Sequence, residues 1–442
     1  MKQVEVSRRD FLKGSGAAAA TAVGGLSARS ALTRPAGANE RIRIGVIGCG
    51  NQGRRWHIER FPKDTNVEIV SVCDPDEARR AQGSSLGGGA KPVDDLRRIL
   101  DDSSIDAVTV ATPDHWHTPA AILAMEAGKH VYVEKPCSHN LREGQLLVEA
   151  ARRSGKVVQH GTQARSNQGF KEAIQMLRDG TIGEVLIAKA WNIQQRKNIG
   201  HEQPSSPPDG FNYDLWVGPA PMVAFQKNRH HYSWHWWYNF GTGDLGNDGV
   251  HEFDLARWGL GQDTHPTNVA VAGGKFYFDD DQEFPDTVTA TFDYPGNGKL
   301  GSRRQLIFEM RLWTGNQPYG LDSGVEFLGT KGKMLLGRRG TFQLWDGENK
   351  KLETQPSQAP KMFVPDNFRA WLAAIRGGAA ATANAETAHR SASLCHLANI
   401  AVRVGRSFQF DPEREQIIGD NEASRLLTRT YRESHWSVPR GV

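Results

Sequence analysis

Two hydrophobic rhythms follow one another along the chain. From residue 41 onward, short apolar runs that read as buried strands alternate with stretches whose apolar positions recur at helical spacing. Ile42, Ile44 and Val46 open the first strand. Val67–Val72 is the second and ends at Asp74, and Ala107–Ala111, His130–Val133 and Val157–Gln159 follow. Helices are expected after Gly53, where Trp56 and Phe61 keep helical spacing, and then from Asp76, over Asp94–Leu100, over Pro119–Ala127 and over Asn140–Ser154. A glycine-rich loop is expected at Gly83–Gly89. This alternation predicts a doubly wound parallel sheet, an α/β Rossmann domain over residues 39–163, with ligand groups at the carboxyl ends of its strands.

Near Arg165 the rhythm changes. One helix is expected over Gln168–Asp179. Strand-like runs then crowd together: Val185–Ile193, Val269–Phe278, Thr287–Tyr294, Gln305–Leu312, Val325–Leu328, Lys333–Gly337 and Phe342–Trp345. Short turns join several of them, which predicts an α+β domain over residues 164–442 with a large, mainly antiparallel sheet. Helices Asp366–Arg376 and Glu386–Val404 complete it. Between Arg196 and Gly243 runs a long irregular segment rich in Pro, His and aromatics, a length that in a compact enzyme usually has a function.

Length and charge narrow the classes. The 442 residues suffice for two or three domains. Ser7-Arg8-Arg9-Asp10-Phe11-Leu12-Lys13, a mildly apolar Ala/Gly stretch and the small residues Ala36-Gly37-Ala38 have the form of a twin-arginine export signal. A signal peptide over 1–38 is therefore expected, with cleavage after Ala38, a partner in the export machinery, and a periplasmic or otherwise exported product. The stretch is too short and glycine-rich for an anchor, and no membrane span is expected in the mature protein. The leader holds six of the 54 basic and two of the 50 acidic residues, so the remainder has 48 of each. A net charge of zero gives no case for nucleic acid as a partner. The four cysteines show neither metal spacing nor a disulfide framework.

The candidate chemistry begins at Gly48-Cys49-Gly50-Asn51-Gln52-Gly53, a G-x-G-x-x-G turn between strand and helix. Gly48 lets the chain turn, Gly50 lets the backbone approach a pyrophosphate, and Gly53 lets helix and strand pack closely. Asp74, 21 residues past Gly53, is placed to accept ribose hydroxyls. It favours NAD, because the 2′-phosphate of NADP would meet like charge there. Arg79 and Arg80 follow closely and keep NADP as the lesser alternative.

With Ala111-Thr112-Pro113 and His117, Glu134-Lys135-Pro136, Gly161-Thr162-Gln163 and the stretch Gly243–Asp254, the sequence resembles the glucose–fructose oxidoreductase, inositol dehydrogenase and MocA-like family (Gfo/Idh/MocA) over nearly all of the mature chain. The resemblance implies a cofactor site of Gly48, Gly50, Asn51, Gln52, Gly53, Asp74, Thr112, Pro113, His117, Glu134, Lys135 and Gln163. It also places Lys135 beside both the nicotinamide and the substrate hydroxyl. The family pattern has Asp four residues before a His on one helical face. Here His251 matches, the earlier position is Asn247, and the acid is Asp248. Lys135, His251 and Asn247 are the expected catalytic residues, His251 as general acid–base because an ordinary imidazole titrates near neutrality. In His230–Tyr238, indole faces suit stacking on a sugar. Core packing is the first expectation for the individual tryptophans, with Trp234, His235 and Asp248 the substrate candidates. His231 and His235 share i, i+4 spacing, but no local acid or cysteine completes a metal set, and no metal is expected.

A nicotinamide cofactor has no free pool outside the cytoplasm, so an exported enzyme must carry its own. The expected function is an NAD(P)-dependent oxidoreductase acting on a sugar or polyol hydroxyl, with tightly bound cofactor re-oxidised by a second substrate. One alternative is a redox-neutral glycosidase or lyase that works through a keto-sugar. Another is a non-enzymatic, NAD-containing sugar-binding protein, for which Asn247 is the best support. A homo-oligomer is expected from the open face of the second sheet.

Overall fold

The computed structural model describes residues 41–61, 63, 65–338, 340–352 and 364–442; the leader and the expected cleavage site lie outside the described residues. The first sheet contains β1 (Ile42–Ile47), β2 (Val67–Cys73), β3 (Lys91–Val93), β4 (Ala107–Val110), β5 (His130–Val133) and β6 (Val158–His160). Their order is β3-β2-β1-β4-β5-β6, and every pair is parallel. The order reverses between β1 and β4, which opens a crevice at their carboxyl ends. β3 was not expected. It is a three-residue edge strand around Pro92, too short to show a period.

The helices follow their caps. Asp76 caps Glu77–Leu86 by accepting from the Arg79 N–H, and Asn140 caps Leu141–Ser154 from the Glu143 N–H. The first runs through Gly83, so the expected glycine loop begins only after Leu86. A Cβ at Gly83 would lie 2.8 Å from Cys49 Sγ, which explains a glycine inside that helix. After Gly53 there is a single π-helical turn to Ile58 rather than a helix reaching Phe61. The helix expected from Pro119 begins at Asp114. Pro119 has no N–H for the preceding turn, and the carbonyl of His115 accepts instead from Arg429 Nη2 at 2.8 Å.

The second sheet contains β7 (Val185–Asn192), β8 (Asn268–Gly274), β9 (Thr287–Tyr294), β10 (Arg304–Arg311), β11 (Ser323–Gly329), β12 (Gly332–Gly337), β13 (Phe342–Asp346), β14 (Lys351–Leu352), β15 (Phe408–Asp411) and β16 (Gln416–Ile418). The order is β14-β13-β12-β11-β7-β10-β9-β8-β15-β16, with β7 and β10 parallel and the other pairs antiparallel. β8 stops at Gly274, short of Phe278, because the Asp286 carboxylate takes the backbone N–H groups of Phe276, Tyr277 and Phe278. One face buries Phe292, Phe308 and Phe327 against helices Gly249–Gly259 and Ala385–Val404.

Residues 161–184 run from the last strand of the first sheet to the first strand of the second, but later helices pack on both. Phe368, Trp371 and Leu372 of helix Val364–Ile375 pack with β1 and β2 residues, and Ala385, Ala388 and Ala392 pack with β4 and β5 residues. Helices Val364–Ile375 and Ala385–Val404 thus return to the first sheet.

Candidate active site

A cavity of about 310 Å³ lies at the carboxyl ends of β1, β2, β4 and β5, closed by residues of the long segment after β7. Of the expected site residues, Gly48, Gly50, Asn51, Gln52, Asp74, Thr112, Pro113, His117, Glu134, Lys135, Trp234, His235 and Asn247 line it; Gly53, Gln163, Asp248 and His251 do not.

The glycines do what the turn requires. Gly48 has φ of 98°, and a Cβ there would sit 2.4 Å from the Ala111 carbonyl oxygen. A Cβ on Gly53 would sit 1.9 Å from the Gly48 oxygen, so Gly53 seals the turn from beneath rather than facing the cavity. Asp74 is buried at the end of β2. Its Oδ2 accepts from the Cys49 N–H at 2.8 Å and its Oδ1 from the Asp76 N–H at 2.9 Å, so the same carboxylate that faces the cavity also fixes the glycine turn. Burial pushes its pKa up, against those two N–H bonds and the Arg79 charge. Thr112 Oγ1 is buried without a partner among the described residues. A glycine turn, a buried acid and an unpartnered hydroxyl along one cavity fit a dinucleotide.

Glu134 accepts from Gln52 Nε2 and faces His57 Nε2, each at 2.9 Å. Burial opposes its charge, but the His57 bond, the His57 charge and Lys135 hold its carboxyl down at about 2. Both ring nitrogens of His117 face backbone carbonyls, Pro136 O at 2.6 Å and Thr112 O at 2.9 Å. His117 therefore stands between the turn after β4 and the turn after β5. Gln163 is buried in a 3₁₀ turn and hydrogen-bonds the Tyr132 hydroxyl.

Lys135 Nζ donates to both Asn247 O and Asn247 Oδ1, the latter at 3.0 Å. Asn247 Nδ2 donates to Asp244 Oδ1 at 2.8 Å, and Asp244 also binds Asn192 and Arg196. Arg196 joins Asp244 to Asp248, and Arg338 binds the other Asp248 oxygen at 2.8 Å. Arg338, Lys135 and Arg196 hold the Asp248 carboxyl well below its ordinary range despite burial. Asp248 is thus an internal ion-pair partner rather than an open substrate acid.

Two expectations about His251 need correction. Asn247 and His251 are not on one continuous helix, because helix Gly243–Asn247 ends before Asp248 and a second helix begins at Gly249. Nor does His251 titrate near neutrality: burial, Arg338 and Lys135 bring it down to about 3, so it is a neutral imidazole at physiological pH. His231 and His235 also lack a common helix. His231 and Tyr232 have φ of 49° and 81°, His231 Nε2 bonds Asp76 Oδ2 at 2.9 Å, and His235 lies in the 3₁₀ turn Ser233–Trp236. Trp236 and Trp237 are buried in packing, while Trp234 stacks on His235 at 3.6 Å between ring centroids and stays at the cavity wall.

Sequence reasoning missed Arg196, Asp244 and Arg338, which brace the Lys135–Asn247 pair, and Trp116 and Trp436, which wall the cavity. Asp244 was within reach, three residues before Asn247 in the same stretch. The long segment also clamps the nucleotide end of the crevice, with the Glu77 N–H donating to Gly210 O and the Asn212 N–H to Pro75 O.

A doubly wound sheet with a glycine turn and an acid at one end of its crevice, and a braced lysine at the other, defines an NAD-binding oxidoreductase. Residues 42–162 match the oxidoreductase family's NAD-binding Rossmann fold, and residues 188–299 and 312–438 match its C-terminal alpha/beta domain. The chain belongs to the Gfo/Idh/MocA family. Residues 5–25 match the twin-arginine translocation signal, so the protein is exported across the membrane to the periplasm. Among the described residues no helix is long and apolar enough to cross a membrane.

The chain is 33% identical over 227 residues to a glycosyl hydrolase family 109 protein of Shewanella sp. (strain ANA-3), covering 45% of this chain and 49% of that one. It is 30% identical over 224 residues to inositol 2-dehydrogenase 2 of Saccharopolyspora erythraea, covering 50% and 55%. The chain spans about half the length of these curated relatives. The WlbA dehydrogenase from Bordetella pertussis, solved with NADH and UDP-GlcNAcA, superposes with a TM-score of 0.65 at 20% identity, over 84% of this chain and 99% of that one. Levoglucosan dehydrogenase, solved with NADH and levoglucosan, gives 0.61 at 18%, over 84% and 99%. At that identity both speak to the fold alone.

Proposed function

We propose that the protein oxidises a hydroxyl-bearing carbon of a sugar or polyol, with NAD held through export and turnover. The observation that carries this reading is Lys135, fixed by two bonds to Asn247 in the cavity that begins at the glycine turn. Bound NAD supplies the hydride acceptor; the protein must orient the substrate and move its proton. With two of its nitrogen positions spent on Asn247, Lys135 has one left for a substrate hydroxyl. It takes the proton as the hydroxyl becomes a carbonyl and returns it in the reverse direction. Asn247, itself anchored on Asp244, sets the direction of Nζ. His251 serves as a neutral hydrogen-bonding group rather than the titrating base. Trp234, stacked on His235, offers an aromatic face to the sugar.

Gly48, Gly50, Asn51 and Gln52 would carry the pyrophosphate and Asp74 the ribose, with Asp76, Gly210 and His231 closing the exit. Asp74→Ala is expected to weaken NAD retention by about 1–3 kcal/mol, since it strips an acceptor from the ribose and from the Cys49 N–H. Nucleotide content of the purified variant reads this directly, and an unchanged content would move the ribose contact elsewhere.

The glycosyl hydrolase relatives favour a second reading. Oxidising a ring hydroxyl acidifies the neighbouring C–H, which permits loss of a glycosidic substituent, addition of water and return of the hydride. The same cavity serves both courses. Incubation with a panel of free sugars and glycosides, without added NAD, separates them. Accumulated keto-sugar supports net oxidation, and released aglycone with no net oxidation supports hydrolysis. Recovery of every sugar unchanged would sink both.

A further inference from the structure

We propose that His265, His389 and Glu415 form a binding site for one divalent first-row transition ion, with Zn²⁺ the best match. The three come from separate elements. His265 lies between helix Gly249–Gly259 and β8, His389 is on helix Ala385–Val404, and Glu415 is in the turn between β15 and β16. His389 Nε2 lies 2.8 Å from Glu415 Oε2, and His265 Nε2 lies 3.2 Å from Glu415 Oε1. All three donor atoms fall within 4.8 Å of one another. Two donors bound to one Zn²⁺ at about 2.0–2.2 Å stand roughly 3 Å apart, so the set needs only small shifts to share an ion. Two imidazoles and a carboxylate also leave positions open for water.

Further features suit a built site. Both histidines are buried, at 4% and 3% exposure. The outer contacts orient the donors: Gln145 Nε2 donates to Glu415 Oε2 at 2.9 Å, and Ser393 Oγ stands 3.4 Å from His389 Nδ1. Gly144 makes room for that ring, since a Cβ there would lie 2.2 Å from His389 Nδ1. Glu415 has φ of 53°, a left-handed backbone that costs a non-glycine residue energy and is held where the surroundings demand it. The trio borders a cleft of about 740 Å³ that shares no wall residue with the NAD cavity. An ion there would pin the β15–β16 turn to the long helix and, through Gln145, to helix Leu141–Ser154.

The alternative is a hydrogen-bonded His–Glu–His clasp that needs no ion. The test uses chelator-stripped full-length protein with its NAD. Zn²⁺ uptake is followed by calorimetry, Co²⁺ by ligand-field absorption, and thermal midpoint by heating with and without Zn²⁺. The expected result is one ion per chain, Co²⁺ bands of a nitrogen–oxygen site, and a higher midpoint with Zn²⁺. His389→Gln and Glu415→Gln should abolish the bands, Gln145→Leu should weaken binding by about 10–100-fold, and NAD content should stay unchanged in all three. Absence of uptake by the parent protein, or equal uptake by parent and variants, would overturn the proposal. NAD content and sugar turnover do not enter this result, so its failure leaves the oxidoreductase reading intact.

Discussion

Lys135→Ala is expected to fold, to keep its NAD, and to lose hydride transfer by about 10²–10⁴-fold. Folding should survive because the side chain is only partly buried and, among the described residues, hydrogen-bonds to Asn247 alone. Cofactor retention should survive because the glycine turn and Asp74 stand on β1 and β2, whereas Lys135 follows β5. What disappears is the group that receives the hydroxyl proton. Glu134 cannot replace it: its carboxyl, held at about 2 and bound by His57 and Gln52, is a poor proton acceptor. His251, at about 3, is no better. Stopped-flow mixing of NAD-loaded protein with sugar compares the variant with the parent, and parental speed in the variant would remove Lys135 from the reaction.

Asp244→Ala should be the most damaging single change to stability among these residues. Asp244 is fully buried and answers Arg196, whose side chain is 14% exposed, while also receiving Asn192 and Asn247. Removing one partner of a buried pair leaves the other charge uncompensated, at a cost of about 3–5 kcal/mol. Asp248 remains beside Arg196 and offsets part of that loss. The same change frees Asn247 and so releases the aim of Lys135, which should lower turnover in whatever protein stays folded. Urea unfolding gives the stability difference. A loss below about 1 kcal/mol would mean that Asp248 alone suffices for Arg196.

The first sheet was legible because parallel strands are buried on both sides and glycine turns are written locally. β1, β2, β4, β5 and β6 fell within a residue or two of their expected bounds. β9 matched at both ends because its alternation of inward and outward residues runs its whole length. Elements shaped by distant partners were not legible. β8 is cut short by Asp286, the helix at Asp114 starts early because Arg429 relieves the turn around Pro119, and β15 and β16 are too short to carry a period. The site divides in the same way. The glycine turn, Asp74 and Glu134-Lys135 are compact motifs. The brace on Asn247 draws on residues 196, 244, 248 and 338, and the His265–His389–Glu415 trio spans 150 positions from His265 to Glu415, so neither has a local spacing to read. His251 was misjudged for a related reason: its titration is set by burial and by Arg338, which sequence distance hides.

The most direct measurement is a single-turnover experiment on protein purified from the periplasm with no nucleotide added. The protein is mixed with each member of a sugar and polyol panel, and absorbance at the reduced-nicotinamide band is followed. The account predicts a rise for at least one hydroxyl-bearing sugar, bounded by one equivalent per chain, slowed about 10²–10⁴-fold in Lys135→Ala and reversed by a carbonyl sugar. Protein that carries NAD, shows no change with any member of the panel and leaves every sugar intact would contradict it.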